Sequence, residues 1–214
     1  MLFIFINIQM RKVGGTDAAL WLMVGMMGFL MFRRTAAQTQ NAVNANTGLF
    51  TYRQVKPIDT VLVRGVLEGF LVLVITMILF GGAALFGLSV LPADPLSMLE
   101  AGFGLWLLGI GFGLIASVAT ELIPELGKLI DYVMVPMNFI SGAVFPIGNL
   151  PEPYRGWLFL NPVAQGMEAA RQGFATYYHA APELSIAYLY ESALVLVFLG
   201  LVLHVRFATR LIAQ

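Results

Sequence analysis

Three stretches of this sequence contain no Asp, Glu, Lys or Arg at all: residues 69–93, 101–120 and 132–150. At about 1.5 Å of rise per residue, a helix over each is long enough to cross about 30 Å of hydrocarbon. A soluble domain carries roughly 25% charged residues to cover its surface. This chain has 11% charged and 59% hydrophobic residues, with a mean hydropathy of +0.83. The charge deficit excludes a large soluble core and defines an all-α membrane protein. A formal net charge of zero argues against nucleic-acid binding through a basic patch. With no cysteine, the chain has no disulfide, thiolate metal site or cysteine nucleophile. His179 and His204 are too few and too far apart for a metal cluster, and they read as interfacial bystanders.

The flanks of the apolar runs divide the chain. Residues 1–10 are apolar but too short to span, and Arg11 and Lys12 end them. No basic residues precede this run and no small-residue cleavage site follows, so it is no signal peptide. It reads as the second half of a helix whose beginning is missing. A second helix is expected over residues 18–32, capped by Thr16 or Asp17 and stopped at Arg33 and Arg34. Residues 33–56 are polar, amide-rich and basic, forming an aqueous loop with room for a short helix.

Pro57 opens a third helix where its missing N–H costs nothing, with Asp59 in the first turn, and the helix runs to about Leu88. A turn over residues 91–95 leads to a fourth helix over 97–120. A charged link over 121–131 follows, then a fifth helix over 132–145 with Pro136 as a kink. Residues 146–183 are semi-polar, proline-punctuated and aromatic, too polar to span and too apolar for a free loop. Such segments lie in the interface or dip into the membrane under a cover of protein. The last crossing is expected over residues 184–205, with a basic tail carrying Arg206 and Arg210. The chain reads as one membrane domain over residues 1–214, with neither internal repeat nor low-complexity segment.

Lysines and arginines set the orientation. Arg33, Arg34, Arg53, Lys56, Arg64, Lys128, Arg206 and Arg210 fall on one side; Arg11, Lys12, Arg155 and Arg171 fall on the other. Eight against four places the 33–64 region and the C-terminus in the cytoplasm.

Few residues invite chemistry. Glu68 lies about three turns into the third helix, with Arg64 one turn before it at the i, i+4 spacing of an ion pair. The pair reads either as functional or as an interfacial anchor. Glu191 has no partner close in sequence and faces either a wet cavity or the outer interface. Gly109 and Gly113 form a small-xxx-small pair suited to close helix packing. Tyr154, Trp157, Phe159, Tyr177 and Tyr178 suit either an aromatic belt or stacking against the C–H face of sugar rings. The chain has no GxSxG, no HExxH, no Walker-type loop and no paired His and carboxylate arrangement. It therefore cannot bind and hydrolyse ATP alone and needs no cofactor of its own.

Two segments carry a resemblance. Residues 28–70, GFLMFRRTAAQTQNAVNANTGLFTYRQVKPIDTVLVRGVLEGF, contain a Val-Lys-Pro-hydrophobic-Asp entry into the third helix. Residues 141–174, SGAVFPIGNLPEPYRGWLFLNPVAQGMEAARQGF, contain a P…LP…R.WL..NP pattern before the last. Together with the helix order, they resemble the membrane permeases of ABC-2 type polysaccharide exporters, which move capsule and O-antigen. The resemblance implies six transmembrane helices, here with the first truncated and the family's N-terminal amphipathic segment missing. It implies a homodimer in the bacterial inner membrane, both termini cytoplasmic, above two separate ATPase subunits that carry the ATP.

The loop over residues 33–56 is then the coupling loop, with Phe50, Tyr52, Arg53, Lys56 and Pro57 toward the ATPase. Residues 146–183 are then a re-entrant periplasmic segment. Channel or gate candidates are Tyr154, Arg155, Trp157, Asn161, Tyr177, Glu68 and Arg64. The substrate would be capsular polysaccharide, O-antigen or a related lipid-linked glycan. The alternatives are an ABC-2 permease for a drug or lipid, an intramembrane glycan-lipid enzyme, and a passive membrane subunit. The enzyme would need convergent carboxylates or histidines, for which Glu68 and Glu191 alone are insufficient.

Overall fold

The computed structural model describes residues 12–13, 16–52, 54–143, 147–149, 151, 153–178 and 180–212. The half-helix expected over residues 1–10 lies outside these, as do Arg53 and His179. A two-residue antiparallel ladder pairs Lys12–Val13 with Thr16–Asp17. The rest is helical: α1 (Ala18–Gln40), α2 (Pro57–Leu85), α3 (Pro95–Leu122), α4 (Pro124–Ile140), α5 (Tyr154–Phe159), α6 (Pro162–Phe174) and α7 (Ile186–Ile212). Short 3-10 turns occupy Asn44–Thr51 and Ile147–Asn149.

Among the described residues, three helices have the length and composition to cross a membrane: Pro57–Leu85, Pro95–Leu122 and Ile186–Leu211. Their burial differs sharply. The apolar window of α3 is 67% buried against 17% for α2 and for α7, so α3 is the axis of the bundle. The wide faces of α2 and α7, with Phe70, Met77, Ile78, Phe198 and Val205 exposed, are then left for lipid.

Glycine lets α3 hold two neighbours at close range. A Cβ on Gly109 would stand 2.9 Å from the Phe32 carbonyl oxygen, and one on Gly113 would collide with Thr39, both on α1. A Cβ on Gly111 would meet Leu196 and Val197 of α7 at 2.8 Å. The expected small-xxx-small packing is therefore the α1–α3 seam. Trp106 joins α3 to α2 by donating from Nε1 to the Gly65 carbonyl at 2.8 Å, over the gap left by Gly69.

Helix termini follow the expected chemistry with exceptions. Pro57 opens α2 and the Asp59 carboxylate accepts from the Lys56 backbone N–H at 3.0 Å. Asp94 caps α3 by accepting from the Leu96 and Ser97 backbone at 3.1 and 3.2 Å. Asp17 occupies the cap position of α1 but makes no side-chain cap bond.

Three expected boundaries are wrong, one of them the end of the fifth helix, which stops at Ile140 and not at residue 145. α1 does not stop at Arg33 and Arg34 but continues to Gln40, because Thr35, Ala36 and Thr39 bury against the glycines of α3. The expected link over residues 121–131 is mostly helix. Only Ile123 interrupts, Pro124 starts α4, and Gly127 packs against Thr120. Pro136 lies inside α4.

These contacts define two ends. At the Pro57 end, Val43, Val61, Val118 and Leu211 share one apolar cluster, which collects the C-terminal parts of α1, α3 and α7 with the start of α2. At the Asp94 end, Ala93 and Asp94 donate to the carbonyls of Phe174 and Gly173 at 3.1 and 2.8 Å. From there α6 descends to the middle of α3, where Val163 and Met167 pack with Phe29, Leu105 and Leu108. The helix that follows the Pro162 turn thus reaches only half the length of the bundle.

Candidate functional site at the two ends of the bundle

The Pro57 end presents an exposed polar face on a buried base. After the 3-10 turn, Tyr52 and Lys56 face solvent, with Tyr52 67% exposed. Phe50 packs toward the cluster of Val43 and Val61, and Pro57 is buried. Alternation of inward and outward side chains makes this short segment a plate fixed to the first turn of α2. Arg206 and Arg210 flank Phe207 at the same end, each about 6.0 Å from its ring centroid.

Above the plate, three charged residues converge. Glu68 is 1% exposed and accepts from the Arg34 Nε at 2.6 Å, with the Arg64 amine 3.1 Å from its other oxygen. Arg64 also donates to Gln38. The i, i+4 pair expected from sequence is present, but its stronger partner is Arg34, on a different helix. No local pattern signals that pairing, which arises because α1 continues past its expected stop.

At the Asp94 end, Tyr154 and Trp157 are 59% and 67% exposed and meet edge to face at 6.1 Å. Tyr177, also exposed, stands on the turn after α6. Arg155 of α5 forms an ion pair with Glu183 at 2.7 Å, tying α5 to the entry of α7. Asn161 is engaged on both sides of its amide: Oδ1 accepts from the Val163 N–H at 3.0 Å, and Nδ2 donates to Ser141 at 2.9 Å. These two bonds cap α6 at Asn161 and fasten its start to Ser141. A cleft of about 430 Å³ lies beside α5, lined in part by Gln165, Glu183, Ser185, Tyr188 and Glu191. Glu191 therefore faces a cleft.

Sequence reasoning missed a second buried charge group. On α6, Arg171 and Glu168 are each 1% exposed and 3.7 Å apart. The Arg171 guanidinium stacks over Trp21 of α1 at 3.6 Å and donates to the Ala143 carbonyl at 3.0 Å. Tyr178 donates to Glu168 at 2.5 Å. Burial, and then the Glu168 carboxylate, push the Tyr178 hydroxyl well above its ordinary value, so it remains a donor. The i, i+3 spacing of Glu168 and Arg171 was the available signal, masked by the polar surroundings of residues 146–183. His204 is likewise no bystander: it is buried on α7 with its Nε2 3.0 Å from the Ser117 hydroxyl.

A helical bundle with one glycine-lined central helix, apolar flanks left for lipid, an exposed polar plate at one end and a helix that reaches its middle from the other is a multi-pass membrane protein. The sequence agrees with a defined group: residues 1–175 match the model of the ABC-2 type transporter family, and the chain belongs to it. It is 30% identical over 204 residues to the polysialic acid transport protein KpsM of Escherichia coli, covering 95% of this chain and 79% of that one. It is 27% identical over 204 residues to the capsule polysaccharide export inner-membrane protein BexB of Haemophilus influenzae, covering 94% and 76%. The capsule polysaccharide export inner-membrane protein CtrC of Neisseria meningitidis is 28% identical over 169 residues, 78% of this chain and 63% of that protein.

Proposed function

We propose that the chain is the permease subunit of an ATP-driven exporter that carries capsular polysaccharide, O-antigen or a related lipid-linked glycan across the bacterial inner membrane. The observation that carries this reading is the similarity, along nearly the whole chain, to a polysialic acid transport protein and to a capsule polysaccharide export protein. In it, two copies surround a central path, since a hydrated polymer needs a channel wider than the packed core of one bundle. The Pro57 end and the C-terminus face the cytoplasm, where the positive charges concentrate.

ATP is hydrolysed on two separate subunits docked there. Phe50, Tyr52, Arg53, Lys56 and Pro57 form the coupling plate, and their rigid junction with α2 transmits the stroke. At the periplasmic end, residues 146–183 form the gate. Tyr154, Trp157 and Tyr177 offer ring faces to sugar, while Arg155 and Asn161 hold the gate helices in register. Arg64 and Glu68 brace the inner mouth. No residue of this chain performs covalent chemistry in this reading.

The test is made in the cell. Deleting the gene in its own organism is expected to trap finished glycan inside, and the wild-type chain restores surface glycan. Unchanged surface glycan in the deletion strain overturns the reading.

A further inference from the structure

We infer that Arg34 and Arg64 form a binding site for the phosphate of an anionic lipid, with Glu68 as the internal counter-charge that holds the two guanidinium groups side by side. The charges do not cancel. Two permanent cations share one carboxylate, leaving a net single positive charge. The carboxylate is 1% exposed, whereas the two arginine side chains are 38% and 41% exposed. The surplus charge is therefore on the open side of the cluster. Arg34 engages Glu68 through Nε alone, and its terminal amines make no hydrogen bond among the described residues. Those two amines present the planar fork that phosphate oxygens accept in pairs.

Depth fits the same ligand. Arg64 lies about 10 Å and Glu68 about 16 Å along α2 from Pro57, at about 1.5 Å per residue. The whole helix, 29 residues, is about 43 Å long against about 30 Å of hydrocarbon. With the surplus of about 13 Å shared between the two ends, the hydrocarbon boundary falls about 7 Å from Pro57, so the arginines lie within snorkelling reach of the lipid phosphates on that side. An open guanidinium fork at that level carries a large cost unless it is paired. Exposed apolar side chains beside it on α2, Val63 and Leu67, offer a surface for the acyl or prenyl chain of the same molecule.

The site needs only a bilayer around the chain. That its phosphate belongs to a lipid-linked glycan rests on the export reading, and the two are separable. The purified full chain in nanodiscs is titrated with phosphatidylglycerol, polyprenyl phosphate and uncharged diacylglycerol, and retained lipid is counted by native mass spectrometry. Both phosphate lipids are expected to be retained over diacylglycerol. R34Q and R64Q are each expected to lower that retention about fivefold. R206Q, which removes a charge at the same end, leaves it unchanged. E68Q is expected to raise it, a direction that a folding defect does not produce. Equal retention of charged and uncharged lipid by the wild type, or no loss in R34Q and R64Q, overturns the site. Preference for polyprenyl phosphate over phosphatidylglycerol assigns the site to a glycan carrier, and equal retention of the two assigns it to bulk anionic lipid. Failure of glycan export in cells leaves the lipid result standing.

Discussion

The guanidinium of Arg171 lies 3.6 Å from the centre of the Trp21 ring, and this stack adds a polar tie to the apolar packing of α6 against α1. A guanidinium stacked on indole in a dry site is favourable by about 2 kcal/mol. Its burial is made tolerable by the Glu168 carboxylate and the Ala143 carbonyl. The cost of breaking this group falls on whichever charge is left behind.

Arg171→Ala is therefore expected to destabilise the chain by about 3–5 kcal/mol, since it strands a buried carboxylate. Arg171→Lys keeps the charge but loses the flat stack, and is expected to recover only part of the loss. The double change Arg171→Met with Glu168→Gln removes both charges and is expected to be milder than Arg171→Ala alone. Thermal unfolding in detergent measures all three. A double variant worse than the single one removes the argument from unpaired charge.

Gly113 offers a steric test of the α1–α3 seam. Replacing it with Ala drives a methyl group into Thr39, whose own hydroxyl is held by the Thr35 carbonyl at 2.6 Å and cannot simply turn away. A loss of about 1–3 kcal/mol is expected. Gly102→Ala, about three turns earlier on α3 with open space around it, is the control and should lose no stability, since alanine favours the helix. Unfolding temperatures of the two variants that coincide would falsify the close-packing account.

Much of the scaffold could be read from the chain alone because the membrane signal is local. A long uncharged run, Pro57 and Asp59 at a helix start, and the spacing of Gly109 and Gly113 each declare themselves within a few residues. Sequence reasoning failed where distant segments decide the outcome. Arg33 and Arg34 look like a helix stop until Thr35 and Thr39 are seen buried against α3. The Arg34–Glu68 and Arg171–Trp21 contacts join residues far apart in the chain, and nothing near either partner announces the other. Glu183, which no sequence pattern singles out, fastens α5 through Arg155.

Asp94 gives the turn between α2 and α3 a pH dependence. The Ser97 hydroxyl, and then the backbone N–H groups of Ser97 and Leu96, hold its carboxyl below the ordinary value near 3.8. A depressed folded-state pKa means the cap stabilises above the unfolded value and is lost as pH falls through the folded one. Asp94→Asn is expected to flatten that acid limb of the unfolding profile while leaving neutral-pH stability almost intact, because Asn still caps. An unchanged acid limb in the variant would show that the cap does not titrate in this way.

The two ends of the bundle should fail differently when their exposed residues are removed. Tyr52 and Lys56 stand on a plate whose base, Phe50 and Pro57, remains packed without them. Tyr52→Ala with Lys56→Glu is therefore expected to leave the chain inserted and folded while abolishing export and the stimulation of ATP hydrolysis by the permease. Tyr154 and Trp157 are each more than half exposed, so Tyr154→Ala with Trp157→Ala should also leave folding intact. In the proposed export path, a ring that stacks on a passing sugar would contribute through contact with substrate alone. The second variant is thus expected to slow glycan release several-fold while ATP hydrolysis continues, separating turnover from transport. Measuring both rates in the same reconstituted vesicles distinguishes the cases. Loss of ATPase stimulation on removing the aromatic pair, with export and hydrolysis falling together, would place those rings in the coupling path instead of the exit.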